Sequence, residues 1–250
     1  DAKGGNISID VLVNGKRAYK INGGLNVVFP YENKGNIIAT VNEDGSETTV
    51  TKHIIADKKH YAVLSGSAEI KFIDNHMEFK DSKGHWGENS IKYVAVHGLY
   101  QGVGDGLFDT DGIMTRAMLI TVLYRLEGET KTRYKHSFND VHNEQWYNNS
   151  VAWANENGII KGVTDKLFDL DAEVTREQAV TVLYRYAQYI GMDIYCEEEF
   201  TQFEDDGEIS VWAKDAAIWA LSNGIINGKP GNIFDPAGNA TRTEVAAMIQ

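Results

Sequence analysis

Over the first 75 residues apolar and polar side chains alternate in short runs, as in Ile7-Ser8-Ile9-Asp10-Val11 and Leu25-Asn26-Val27-Val28-Phe29. A period of two places alternate residues on one face and predicts strands. Asn14-Gly15, Gly23-Gly24, Asn33-Lys34-Gly35 and Asp44-Gly45 interrupt the runs with turn chemistry. About six strands fit before Asn75, enough for a small sheet or part of a sandwich. From His76 onward the spacing changes. Leu119/Val122/Leu123, Ala179/Val182/Leu183 and Val245/Met248/Ile249 recur at i, i+3 and i+4, the stripe of a helix with one buried face.

The helical part repeats itself. Trp86, Trp146 and Trp212 align; Tyr93, Trp153 and Trp219 follow, then Gly98, Gly158 and Gly224, then Gly102, Gly162 and Gly228. Next come Phe108-Asp109, Phe168-Asp169 and Phe234-Asp235, and each copy reaches Thr115-Arg116, Thr175-Arg176 or Thr241-Arg242 at the same distance from its first Trp. Such a register is the signature of tandem modules. Within each copy a first helix stops at Gly98, Gly158 or Gly224, where left-handed backbone ends a helix. A Gly-containing loop follows, and Thr caps the second helix. Thr241-Arg242-Thr243-Glu244 has capping-box form, Thr175-Arg176-Glu177-Gln178 has it with Gln, and Thr115-Arg116-Ala117-Met118 keeps the cap but loses the return bond.

Composition narrows the classes. The chain has 250 residues, 42% apolar and 24% charged, a globular balance. A net charge of −12 argues against nucleic acid, which needs a basic face. No run is long and apolar enough for a membrane span. Cys196 is the lone cysteine, in an acidic linker, so neither an internal disulfide nor a cysteine metal cluster is expected. Asp1-Ala2-Lys3-Gly4-Gly5 lacks the pattern of a secretory signal, and the chain reads as an excised piece that starts mid-domain. The last helix reads as clipped at Gln250.

The repeated residues, with the openings Phe79-Lys80-Asp81, Phe138-Asn139-Asp140 and Phe203-Glu204-Asp205, resemble the S-layer homology module. That resemblance implies a mainly α fold: a pseudo-threefold spindle of three helix–loop–helix modules around a central three-helix bundle, here preceded by a small all-β domain. It divides the chain into a β-rich domain at 1–75 and modules at 76–132, 133–196 and 197–250. It also implies a place on the bacterial cell surface, and non-covalent anchoring of a surface protein to the wall. The implied partner is secondary cell-wall polymer, an acidic N-acetylmannosamine-containing glycan with a pyruvate ketal, held in grooves between modules. No cofactor or metal is implied.

The residue chemistry suits an anionic sugar. Arg116, Arg176 and Arg242 each follow an N-cap, beside amides expected to be unpaired, and a guanidinium meets a carboxylate with two parallel bonds. A cation there opposes the helix dipole, which points to a role in binding, with Arg176 and Arg242 as the main carboxylate anchors. Gly102, Gly162 and Gly228 would let backbone approach the sugar. Trp86, Trp146 and Trp212 fit either core plugs or sugar platforms, and Asp81, Asp140 and Asp205 either helix caps or ligand-orienting groups. Trp153 and Trp219 belong to the core. The first copy, with Met118, is expected to be the poorest binder. Calcium fits badly, because the Asp109–Ile113 spacing fails the loop pattern. Catalytic motifs are missing, and His76, His85, His97, His136 and His142 are scattered like surface histidines. A protein–protein assembly module with some self-association, or the non-catalytic tail of a larger surface enzyme, is the alternative.

Overall fold

The computed structural model describes residues 6–31, 35–129, 135–196 and 203–250. The opening Asp1–Gly5, the turn residues Asn33 and Lys34 and the stretch just after Cys196 lie outside them. Nine strands precede the repeats: β1 Ile7–Ile9, β2 Leu12–Val13, β3 Lys16–Arg17, β4 Leu25–Pro30, β5 Ile37–Val41, β6 Glu47–Thr49, β7 His53–Ala56, β8 Lys59–Leu64 and β9 Ala68–Ile73. They pair antiparallel in three sheets, of order β1-β9-β5-β6, β2-β3 and β4-β8-β7. Alternation sets the faces: Leu25, Val27 and Phe29 of β4 turn inward to pack on buried Ile38, Val50, Ala62, Leu64 and Ile70. More strands form than the turn dipeptides predict. The β7–β8 hairpin turns at Asp57-Lys58, both left-handed at φ 49° and 57° without a glycine to mark them.

Six α-helices follow: α1 Glu88–Val96, α2 Arg116–Leu126, α3 Asn148–Glu156, α4 Arg176–Tyr189, α5 Lys214–Ser222 and α6 Arg242–Ile249. With nine strands beside six short helices among the described residues, the chain is not mainly α, contrary to the expectation from the resemblance. The repeats themselves spend much of their length in loops, because each helix runs only 8 to 14 residues. The close helix pairs are α2 with α3, α4 with α5 and α6 with α1, so each second helix packs on the first helix of the next repeat.

Local signals explain the helix ends. Gly98, Gly158 and Gly224 take φ of 71°, 70° and 67°, and the residue before each closes the C-terminus. Thr115, Thr175 and Thr241 accept from the N3 amides; the capping box is complete in α4 and α6 and absent from α2, where N3 is Met118. One apolar core runs through all three repeats, with Phe108, Phe168 and Phe234 fully buried at equivalent places.

The β-sheet region is fastened to the first repeat. Thr51 Oγ1 donates to Leu126 O at 2.8 Å, Asn75 Nδ2 donates to Val96 O at 2.9 Å, and Lys52 Nζ lies 2.7 Å from Glu127 Oε2. Tyr186 donates to the same Glu127 oxygen at 2.8 Å, which ties in the second repeat. Three buried histidines cross the seam: His97 Nε2 lies 3.1 Å from His53 Nδ1, and His53 Nε2 lies 2.9 Å from His60 Nδ1. His97, expected at the surface, is therefore a core residue. Its Nδ1 faces Tyr93 O at 2.8 Å, and a carbonyl only accepts, so Nδ1 carries the proton. With the rings neutral, as burial favours, that choice sets the rest: His53 donates to His97 and His60 donates to His53. Among the described residues, His60 Nε2 ends the chain as a buried acceptor without a partner.

Burial, and then repulsion from His97 and His60, pulls the His53 pKa from 6.5 to about 3. Burial likewise lowers His60 and His97, the latter partly offset by the bond to Tyr93 O. A histidine with a depressed folded pKa binds fewer protons than its unfolded counterpart, so stability is full above pH 6.5 and is lost as pH falls toward 3. The slope is about 1.4 kcal/mol per pH unit for each ring kept neutral. The denaturant midpoint should therefore fall between about pH 7 and 5 while the His53 imidazole, followed by NMR, stays neutral in the folded chain. A His53 ring titrating near its ordinary value in the folded protein would contradict the arrangement.

Candidate functional site

The three repeats are linked head to tail and the third returns to the first. Immediately before the N-caps, Met114 N donates to Ala240 O, Val174 N to Met114 O and Ala240 N to Val174 O, at 2.9, 2.9 and 2.8 Å. All three residues are buried. The first-turn amides continue the circuit. Arg116 N donates to Ala172 O, Arg176 N to Gly238 O and Arg242 N to Gly112 O, at 3.0, 2.9 and 2.8 Å. Ala117, Glu177 and Thr243 donate to Leu170, Pro236 and Thr110. The helix N-termini are thus capped by the neighbouring repeat, and the unpaired amides expected beside each arginine are already paired.

Each arginine side chain follows the same path into the next repeat. Arg116 Nε donates to Phe168 O at 3.0 Å and Nη2 to Lys161 O at 2.7 Å. Arg242 Nε donates to Phe108 O at 2.8 Å and Nη2 to Gln101 O at 2.9 Å. Arg176 Nε donates to Phe234 O at 2.8 Å, and its Nη1 pairs with Glu244 Oε1 at 2.9 Å. The guanidinium carbons lie 4.7, 5.7 and 4.7 Å from the ring centres of Phe168, Phe234 and Phe108. A cation at N1 is therefore a clamp on the carbonyls of the next repeat, which explains why it is tolerated at the positive end of a dipole. Arg176 and Arg242 are only 3% and 7% exposed. The first of these is held by a carboxylate from its own chain, so it is poorly placed to be a free anchor. Burial pulls the pKa values of Arg116 and Arg242 down, opposed for Arg116 by Asp169 and Asp140 and for Arg242 by Tyr100, Asp109 and Asp81.

The other repeated residues build the loop the clamp grips. Asp81 accepts from the amides of Phe108, Asp109 and Thr110, while Asp140 and Asp205 each accept from the Phe-Asp pair of their own repeat. They cap this turn rather than the first helix. Burial pushes the Asp81 and Asp140 carboxyls up, but the amide bonds outweigh it and leave both below the ordinary range. Asp109, Asp169 and Asp235 are left-handed there, at φ 65°, 66° and 58°. Gly102, Gly162 and Gly228 lie against the rings of Phe79, Phe138 and Phe203, where any Cβ would collide. Their glycine requirement is thus internal to the module.

The tryptophans divide cleanly. Trp153 and Trp219 are buried, as expected. Trp86, Trp146 and Trp212 are 68%, 57% and 54% exposed, which removes the core-plug reading. Three equivalent large aromatics kept in solvent need a reason beyond packing. A cavity of about 110 Å³ gives one of them a setting: it is lined by Trp146 of the second repeat, Arg242 of the third, and Tyr100, Gln101, Met118 and Arg125 of the first. Arg125, Gln101 and Met118 were not singled out from the sequence as site residues. The tandem register carried the signal, because Arg185 stands where Arg125 does in the preceding copy.

Three like modules joined in a closed circuit, with a clamping Arg at each seam and an exposed Trp in each module, define a tandem-repeat protein. A family model for the S-layer homology domain matches residues 78–117, 137–180 and 202–246, and the chain belongs to that family. It is 35% identical over 173 residues to an exoglucanase, XynX, of Acetivibrio thermocellus, covering 68% of this chain and 16% of that protein. It is 27% identical to a surface-layer 125 kDa protein of Lysinibacillus sphaericus (66% of this chain, 14% of the relative) and 27% identical to a cellulosome-anchoring protein of Acetivibrio thermocellus (60% and 34%). The chain thus spans a small part of the length of these relatives. Its place is extracellular, at the bacterial cell wall. No helix among the described residues is long and apolar enough to cross a membrane.

Breaking a buried ion pair leaves an uncompensated charge, at a cost of about 3–5 kcal/mol. Arg176→Ala should therefore lower the stability of the repeats by an amount toward the low end of that range, because Lys229 Nζ at 3.4 Å still faces Glu244. Arg116→Ala, with no ion pair to break among the described residues, should cost less. Denaturant unfolding of the two variants checks this, and an Arg176→Ala midpoint equal to wild type would contradict the clamp.

Proposed function

We propose that the three repeats attach their parent protein to the wall by holding an acidic wall glycan in the seams between repeats. S-layer homology domains anchor proteins to the cell wall; the glycan, and the residues that meet it, are the added step. The observation that carries it is the solvent exposure of Trp86, Trp146 and Trp212 at equivalent positions of the three repeats, with Trp146 beside a cavity lined by all three. A flat indole face suits the apolar C–H surface of a pyranose, and the cavity beside Trp146 supplies the polar partners. There Arg125 and the edge of Arg242 offer guanidinium hydrogens to a carboxylate such as a pyruvate ketal, and Gln101 adds an amide. The net charge of −12 does not forbid an acidic partner, since the field inside a groove is set by the cations that line it.

On this reading Arg116, Arg176 and Arg242 act chiefly by shaping the groove, and Asp81, Asp140, Asp205, Gly102, Gly162 and Gly228 act by fixing its loops. The division of labour matches the relatives, in which the shared region is a minor part of an enzyme or of a surface-layer protein. We place binding in this region and any chemistry elsewhere in the parent. The assembly alternative predicts binding to walls from which glycan has been removed.

Trp146→Ala should weaken sedimentation with purified walls about tenfold, equivalent to about 1.4 kcal/mol, with an unchanged unfolding midpoint because the ring is exposed. Undiminished wall binding by that variant, or equal binding to glycan-stripped walls, would rule the reading out.

A further inference from the structure

We propose that a second carbohydrate site lies between α4 and α5, built to hold an uncharged pyranose by its hydroxyls. It stands on its own lining and does not depend on the acidic-glycan reading above. The cavity there has a volume of about 330 Å³, against about 110 Å³ beside Trp146. Pockets for small molecules begin at about 300 Å³. Tyr184 of α4, Asp215 and Ile218 of α5, and Asp193, Tyr195 and Cys196 of the segment between them form its wall. That segment turns back at Gly191, φ 75°, where Met192 N donates to Ala187 O at 3.0 Å, and Ile194 and Cys196 then pack on the core.

The two cavities use different helix faces. On α2 the smaller one is lined by Met118, Thr121, Val122 and Arg125, an i, i+3, i+4, i+7 stripe, and not by Tyr124. Tyr184 is the counterpart of Tyr124, and each ring packs on an indole, Trp219 or Trp153, at 5.6 Å. Nor is the larger cavity a repeated feature. Asp215 and Ile218 stand where the second repeat has Asn149 and Ala152 and the first has Asn89 and Lys92. A local departure from a pattern held elsewhere points to function.

The lining selects the ligand. Tyr184, half-buried, and Tyr195, 76% exposed, offer aromatic surface to the C–H face of a sugar. Asp193 and Asp215 offer carboxylate oxygens, which accept from hydroxyls in short, charge-assisted bonds. Asp193 takes one bond, from Tyr195 N at 3.0 Å, and among the described residues neither carboxylate has a cationic partner. Burial, and then the charges of Asp215 and Cys196, push the Tyr184 phenol up, so it stays a hydroxyl donor. Two carboxylates and no cation in the wall repel an acidic sugar. An uncharged pyranose supplies what the wall lacks, a ring of hydroxyl donors.

The experiment follows the Tyr184 and Tyr195 ring signals of the whole chain by NMR. The titrants are the methyl glycosides of glucose, galactose, mannose and N-acetylglucosamine, with that of glucuronic acid as the charged counterpart. At least one uncharged glycoside should saturate a single site and shift both rings, with the glucuronide about tenfold weaker or worse. Asp215→Asn introduces the residue that the other two repeats carry, so the fold is kept, and should weaken binding about tenfold. Tyr195→Ala should weaken it severalfold with an unchanged unfolding midpoint, and Trp146→Ala should leave it as in wild type. No shift with any uncharged glycoside, equal binding of the glucuronide, or wild-type affinity in both Asp215→Asn and Tyr195→Ala would overturn the proposal and leave the acidic-glycan reading standing. Shifts caused by tetramethylammonium alone would mark a cation pocket and overturn it too.

Discussion

Everything in the repeat region depends on a guanidinium leaving the start of one helix and ending on the carbonyls of the next repeat. Arg116, Arg176 and Arg242 make that step in turn, and the third returns to the first. A closed circuit has no terminal repeat with an unpaired face, so the apolar core is shared and no second helix is left without a neighbour. The backbone hydrogen bonds among Met114, Val174 and Ala240 are the innermost turn of the same circuit. With these in place the first-turn amides are consumed, the Phe-Asp turns are held, and the grooves take their shape.

The circuit also decides what can face solvent. Because the arginines and the aspartates work inward, the large groups left in solvent are Trp86, Trp146 and Trp212, with Trp146 and Arg125 lining the cavity at the first seam. Anchoring by such a surface needs no chemistry and no moving part. The β-sheet region is coupled to it at Glu127, which takes Lys52 from the sheets and Tyr186 from the second repeat, and by the neutral histidine chain. Acid weakens that coupling, and basic or neutral surroundings preserve it.

Much of this was legible in the sequence because it is written three times. The helix stops at Gly98, Gly158 and Gly224, the caps at Thr115, Thr175 and Thr241, and the missing return bond at Met118 follow from local rules and stand as read. The family followed from the same register. The roles of Arg176 and of the three aspartates were not legible, because a local reading sees an open helix end where the fold supplies a neighbour. The exposure of Trp86 was hidden for a similar reason: indole burial is decided by tertiary packing, and its spacing is compatible with either face. Period-two patterns found the strands at β4 but missed a hairpin turning on Asp57-Lys58, where non-glycine residues take left-handed backbone. His53 and His60 do not repeat, so nothing in the register called attention to them.

Closure is the central claim, and native-state hydrogen exchange at the amides of Met114, Val174 and Ala240 tests it most directly. If the three repeats form one circuit, these amides exchange only through global opening, with a common free energy that equals the unfolding free energy of the repeat region. Exchange of one of them through a cheaper, separate opening would show that a repeat detaches by itself, and the closed circuit would be wrong.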